Sequence, residues 1–509
     1  MQRYPVPTSS GLRRVLGRGA VQIRPGAIGP GMPIRPELAD LSRLGRRFLR
    51  QVIGKARAED APSLPRALSD HLGPDAASLP VVGESWPTYE HVNLQLALDY
   101  WLAAGGRQHT LVGITGFQNR MFSLADLAQP LTALNGPFIG SVAMSGLPSG
   151  PAGETHSCVR CGLYLASEVA ASPLAILFME APANGRQVGG SIVVEVLSAE
   201  PARAQTVLAE LRALALSHNI YRGQVLSFDQ EMFGMAPPGE SPLRFLERPE
   251  LSREELVLPP GLLELVERQV TGIAAHRGRL LASGQHLKRG ILLHGPPGTG
   301  KTHTVRYLLS RLTDVTIVIL SGRALALIGP AASIARSLQP SVVVVEDVDL
   351  IAEGRGMSPG QHPLLFQLLN EMDGLGEDAD VAFLLTTNRA DMLEPALAAR
   401  PGRVDQAVEI PLPDADGRLR LIELYRGRLE LADIDLDPVV ARTEGVTASF
   451  IKELLRRAAL VAADTAEEES VGPLTVRSSD LDEALNELLA EKNRLTRSLL
   501  GNAAESSTP

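Results

Sequence analysis

Residues 291–302 read Ile-Leu-Leu-His-Gly-Pro-Pro-Gly-Thr-Gly-Lys-Thr. Ile291 to Leu293 have the character of a short apolar strand, and "HTVRYLLSRL" after Lys301 and Thr302 has helical spacing. A strand that must turn into a helix over a glycine-rich loop confines this part of the chain to α/β architecture. The glycines let backbone N–H groups converge on an anion, and the helix start adds positive partial charge. The expectation is a phosphate-binding loop in which Gly295, Pro296, Pro297, Gly298, Thr299, Gly300, Lys301 and Thr302 hold a nucleotide. Lys301 is expected to reach the β- and γ-phosphates and the Thr302 hydroxyl to bind Mg²⁺.

A second element follows in "SVVVVEDVDL", residues 341–350. Its valine run suits a buried parallel strand, whose acidic end would face the ligand crevice of an open α/β sheet. Without a phosphate loop, a strand ending in a solvated acidic turn would be the better reading. Beside a phosphate loop, Glu346 is assigned to the metal and Asp347 to the attacking water, with Asp349 close behind.

Together with the loop "GPPGTGKT", three further segments make residues 255–490 resemble the AAA family of ATPases. "LLNEMDGL" is similar to that family's intersubunit signalling segment and puts Asp373, Gly374 and Leu375 at a subunit boundary. "AFLLTTNRADMLEPALAARPGRVDQAVEIPLPD" resembles its second region of homology, in which Asn388 corresponds to the sensor asparagine. Arg400 and Arg403 match its arginine fingers, which stabilise charge on the ATP of a neighbouring subunit. "GVTASFIKELLRRAAL" is similar to the segment packing over the adenine, with Gly445 and Ala448 at its small-residue positions. The resemblance implies a ring ATPase using ATP and Mg²⁺, with a homohexamer as the expected assembly. Remodelling of a protein client by the ring is the activity expected of it; a slowly hydrolysing nucleotide-gated scaffold is the alternative.

The chain departs from the family pattern at the acidic pair and the pore loop, and Ala448 stands where Gly is usual. The acidic pair is Glu346 then Asp347 where Asp then Glu is usual, which shortens the water-positioning side chain by one methylene. The same order occurs in the AAA branch that moves the folded Rieske protein, so the swap is compatible with activity. At the expected pore loop, "SGRALALIGPAAS" has Leu327, Ile328 and Gly329 and no aromatic, leaving packing and client contact as equal readings. No His-Glu-x-x-His sequence occurs, so any proteolysis would need a partner.

The whole chain has 509 residues, enough for several domains. The expected organisation is a basic arm and helix over 1–58, an α/β or α+β recognition domain over 59–240, a P-loop parallel sheet over 241–411, a helical lid over 412–500 and a disordered tail over 501–509. The arm holds twelve Lys or Arg against Glu37 and Asp40. Nucleic acid is therefore a possible but disfavoured partner, because arginine is abundant throughout and the net charge is −9. An unknown protein client, held by the recognition domain, is preferred. No apolar run reaches the roughly 20 residues a membrane span needs, and the expected location is cytoplasmic. Only Cys158 and Cys161 occur, in "HSCVRCG" with His156; ordinary semi-buried cysteines are expected over a metal or redox site.

Overall fold

A computed structural model describes residues 63–116, 122–129, 137–168, 171–181, 190–228, 240–352, 363–376, 378–391, 404–432, 434–465 and 473–490. The basic arm, the tail, Arg400 and Arg403 lie outside the described residues.

The first sheet contains β1 (Val81–Pro87), β2 (Gln108–Thr115), β3 (Phe138–Gly140), β4 (Ala143–Pro148), β5 (Thr155–Glu168), β6 (Ala171–Ala181) and β7 (Ser191–Ser198). Its order is β1-β7-β6-β5-β2-β3 with β4 also on β5, and every pairing is antiparallel. Side chains alternate across a strand, and β6 is apolar on both faces for that reason. Leu174, Ile176 and Phe178 pack under the helices His91–Ala103 and Pro201–Ser217, with Leu98, Trp101, Val207 and Leu211. Ala175, Leu177 and Met179 meet Leu64, Leu68, Leu124 and Leu127 of the short helices Leu64–Leu72 and Leu124–Ala128 on the other side. Of the two fold classes open for this domain, helices over an antiparallel sheet make it α+β.

The second sheet contains β8 (Val225–Phe228), β9 (Leu243–Leu246), β10 (Arg289–His294), β11 (Thr316–Leu320), β12 (Ser341–Val345), β13 (Val381–Thr387) and β14 (Gln406–Glu409). It is ordered β14-β10-β13-β12-β11-β8-β9, parallel throughout except at the β9 edge. Every residue of β12 and β13 is buried, as expected where helices cover both faces. Val343 and Val345 pack toward the helix Ile328–Ser337, and Val342 and Val344 toward the helix Lys301–Arg311. This is a mixed α/β fold with a P-loop sheet, as the motifs imply. Beyond it, the helices Ala415–Tyr425, Asp437–Arg442, Ala448–Thr465 and Ser478–Leu489 share a core of Leu421, Phe450, Leu454 and Leu485, flanked by β15 (Glu430–Leu431) and β16 (Thr475–Val476).

One boundary moves. The strand "GQVLSF" belongs by sequence order to residues 59–240, yet β8 pairs in parallel with β11, Val225 opposite Ile317. Its apolar side chains are buried on both faces only beside β11, so the P-loop sheet starts at Val225 and not after residue 240. The seam just before it is polar: the Tyr221 hydroxyl donates to the Tyr89 carbonyl and the Ile220 N–H to Asn93 Oδ1 at 2.9 Å.

Candidate nucleotide site

Three motifs distant in sequence become neighbours because β10, β13 and β12 are consecutive strands, spaced about 4.8 Å apart. The phosphate loop leaves β10, Asn388 follows β13, and Glu346 and Asp347 follow β12, all at the C-terminal edge.

In the loop, Gly295 and Gly298 have positive φ values of 143° and 80°. A Cβ on Gly295 would collide with the Ile410 carbonyl, and one on Gly298 would lie 3.0 Å from the hydroxyls of Thr447 and Ser449. Only glycine fits both the backbone conformation and the space. Lys301 is 6% exposed, and its Nζ donates to the carbonyls of Gly295 and Pro296, each at 2.8 Å. Burial pushes its pKa down to about 8, opposed by the carboxylates of Asp347 and Asp349. Thr299 Oγ1 donates to the Pro296 carbonyl at 3.0 Å and closes the turn.

The two carboxylates after β12 face different neighbours. Glu346 faces the Thr302 hydroxyl; burial raises its pKa, the Thr302 hydroxyl lowers it, Asp347 raises it and Arg306 lowers it. Asp347 has φ 52°, a left-handed conformation that costs a non-glycine residue about 1–3 kcal/mol and that Asp tolerates better than most. Its N–H donates to Thr386 Oγ1 at 3.1 Å, and its Oδ1 accepts from Asn388 Nδ2 at 3.2 Å. The pair thus points one carboxylate at the loop and the other at β13.

This arrangement fits a nucleotide with a divalent cation. The loop of positive-φ glycines and a buried ammonium suit phosphates, and Thr302 with Glu346 offers a hydroxyl and a carboxylate of the kind such a cation takes alongside water and phosphate oxygens. No cluster of three or more His, Cys, Asp or Glu that could cage a metal occurs among the described residues. From the lid, Ser449 donates to the Gly298 carbonyl through its N–H at 3.2 Å and its hydroxyl at 3.3 Å. Ser449 and Thr447 therefore touch the loop, flanking Ala448 at the start of the helix Ala448–Thr465; Gly445, with φ 76°, shapes the approach. Sequence reasoning passed over both hydroxyls, although Ser and Thr at a helix start are themselves a signal.

Other expected residues fall elsewhere. Leu327 and Ile328 are in the core beneath the second sheet, so the packing reading holds and neither side chain is available to grip a client. Asp373 and Gly374 are exposed at the end of the helix Pro363–Asp373, whereas Leu375 is buried. Cys158 packs with Val92 and Leu147, while Cys161 packs in a different cluster with Leu163 and Leu177. Burial pushes both thiols up to about 12, and His156 lies 3.6 Å from Asp99. These cysteines are therefore structural. A thiol reagent at pH 8 is expected to modify neither until the protein unfolds; rapid labelling of the native protein would refute this.

A family model described as "ATPase family associated with various cellular activities (AAA)" matches residues 291–412. The proteasome-activating nucleotidase of Saccharolobus solfataricus is 32% identical over 281 residues, 51% of this chain and 69% of that protein. The chain belongs to the AAA family. The ATP-dependent zinc metalloprotease FtsH 3 of Sphaerobacter thermophilus is 31% identical over 278 residues, 51% of this chain and 54% of its own length. The ATP-dependent zinc metalloprotease FtsH of Cutibacterium acnes is 32% identical over 245 residues, 45% of this chain and 33% of its own length. The chain thus spans only about half the length of the first of these metalloproteases and a third of the second. No helix among the described residues is long and apolar enough to cross a membrane.

Proposed function

We propose that this AAA protein is a Mg²⁺-dependent ATPase whose homohexameric cytoplasmic ring couples ATP turnover to remodelling of a protein client bound by the N-terminal domain. The observation that carries the reading is the division of labour between Glu346, facing Thr302, and Asp347, on Asn388, beside the buried Lys301. Lys301 exchanges its two loop carbonyls for phosphate oxygens when ATP enters. Thr302 and Glu346 would hold Mg²⁺, which would supply positive charge to the phosphates when bound. Asp347 accepts a proton from the attacking water, with the Asn388 amide fixing the carboxylate. The water oxygen bonds to the γ-phosphorus as the bond to the ADP oxygen breaks. Arg400 and Arg403 act across a subunit boundary on the charge that develops. Similarity to a proteasome-activating nucleotidase supports a protein client.

Steady-state ATP hydrolysis over a protein concentration series tests this, with Asp347→Asn and Arg400→Ala alongside. Specific activity that rises with concentration and falls about 100-fold or more in both variants supports a ring acting in trans. A wild type that binds ATP yet turns over no faster than Asp347→Asn refutes the ATPase. The burial of Leu327 and Ile328 favours a second reading, the nucleotide-gated scaffold, in which no polypeptide is threaded. Stimulation of turnover by an unfolded protein would count against the scaffold.

A further inference from the structure

We propose that Asp349 is a positioning residue for hydrolysis, holding Asn388, and through it Asp347, in the working arrangement; this rests on the ATPase reading above. Asp349 is 7% exposed, and its Oδ1 accepts from the Thr387 hydroxyl at 2.8 Å and from the Asn388 N–H at 3.2 Å. It begins the short helix Asp349–Ala352, where an aspartate would ordinarily cap its own helix's N–H groups. The partners found here are instead on the exit of β13, the neighbouring strand.

Asn388 is consequently pinned at both ends, its backbone by Asp349 and its side-chain amide on Asp347 Oδ1. The other links between the two strand exits run through Thr386: its hydroxyl accepts the Asp347 N–H and its carbonyl accepts the Val348 N–H at 2.9 Å. Those links set the height of the loop after β12, while the Arg389 N–H, donating to Thr387 Oγ1 at 3.0 Å, tightens the turn that follows Asn388. Within that turn, Asp349 is the group that accepts the Asn388 N–H and, through the Thr387 hydroxyl, ties both residues to the loop after β12. The short, left-handed Asp347 has little reach of its own, so the place of its carboxylate follows the amide of Asn388. A shift of about 1 Å in such a group lowers rate by on the order of 100-fold.

The test measures kcat, KM for ATP and equilibrium binding of a fluorescent ATP analogue for Asp349→Ala and Asp349→Asn, each in the wild-type and the Asn388→Ala backgrounds. With Asn388 present, kcat is expected to fall about 100-fold in Asp349→Ala and about 10-fold in Asp349→Asn, which keeps an acceptor oxygen, with KM and analogue binding within about threefold. With Asn388 removed, either substitution adds less than about twofold, because both act through one group. If Asp349→Ala does not fold, the Asp349→Asn pair decides alone. Losses that multiply across the two backgrounds, variants with wild-type kcat, or a loss of nucleotide binding in step with activity would overturn the proposal. An active wild type with multiplying losses sinks only the role of Asp349. A wild type that binds ATP without turnover sinks the ATPase reading and this role with it.

Discussion

Replacing Lys301 by alanine is expected to lower kcat/KM for ATP by on the order of 1000-fold, the upper part of the range for losing one charge-stabilising group at a reaction centre. The reason is local. Lys301 is the buried ammonium at the mouth of a helix, held by two loop carbonyls that phosphate oxygens can replace one for one. Alanine leaves those carbonyls of Gly295 and Pro296 facing the phosphates with nothing between them. Lys301→Arg should rescue poorly, because a planar guanidinium cannot place a single point charge between two oxygens 2.8 Å from Nζ. Steady-state kinetics with a thermal melt as folding control measures this. Retention of activity within tenfold by Lys301→Ala would mean that the loop does not hold the reacting phosphates.

The second large effect concerns stability and lies at the opposite edge of the sheet. Asp380, just before β13, is buried and accepts from Arg289 Nη1 at 3.0 Å, and Arg289 begins β10. Arg277 adds a longer contact of 3.5 Å from a half-exposed position. Asp380→Ala strands the buried Arg289 guanidinium, whose other partners are the neutral carbonyls of Leu287 at 2.7 Å and Val270 at 3.5 Å, and is expected to remove about 3–5 kcal/mol. Arg289→Met with Asp380→Leu removes both charges and fills their space, and should recover most of that loss. Urea titration monitored by far-UV circular dichroism reads the midpoints. Equal destabilisation by the single and the double substitution would show that the strand ends are held by shape and not by charge pairing. Because this pair clamps β10 to β13, the strands carrying the phosphate loop and Asn388, its loss would also loosen the site.

Neither Asp380 nor Asp349 could be found by pattern. Each is one acid among several in "EDVDL" or "GEDADV", and what distinguishes them is a partner about 40 or 90 residues away in the chain. The cysteines show the converse. "HSCVRCG" has the spacing of a chelating pair on a turn, but it folds as part of β5, which carries a register irregularity opposite Ala143 and Met144, and the two thiols enter different cores. Periodicity reports how often a side chain faces inward, not which layer it enters.

From the amino-acid order alone come the phosphate loop, the acidic strand end and membership of a P-loop architecture; Asn388 was singled out only by the family resemblance. The first three are local, a strand, a turn or a helix start whose conformation its own few residues dictate. Which strand stands beside which was settled only by tertiary structure, since it depends on burying both faces of every strand at once. That choice placed β8 in the second sheet and Leu327 and Ile328 in the core. It also set β13 between β10 and β12, where Asp349 meets Asn388 and Asn388 meets Asp347.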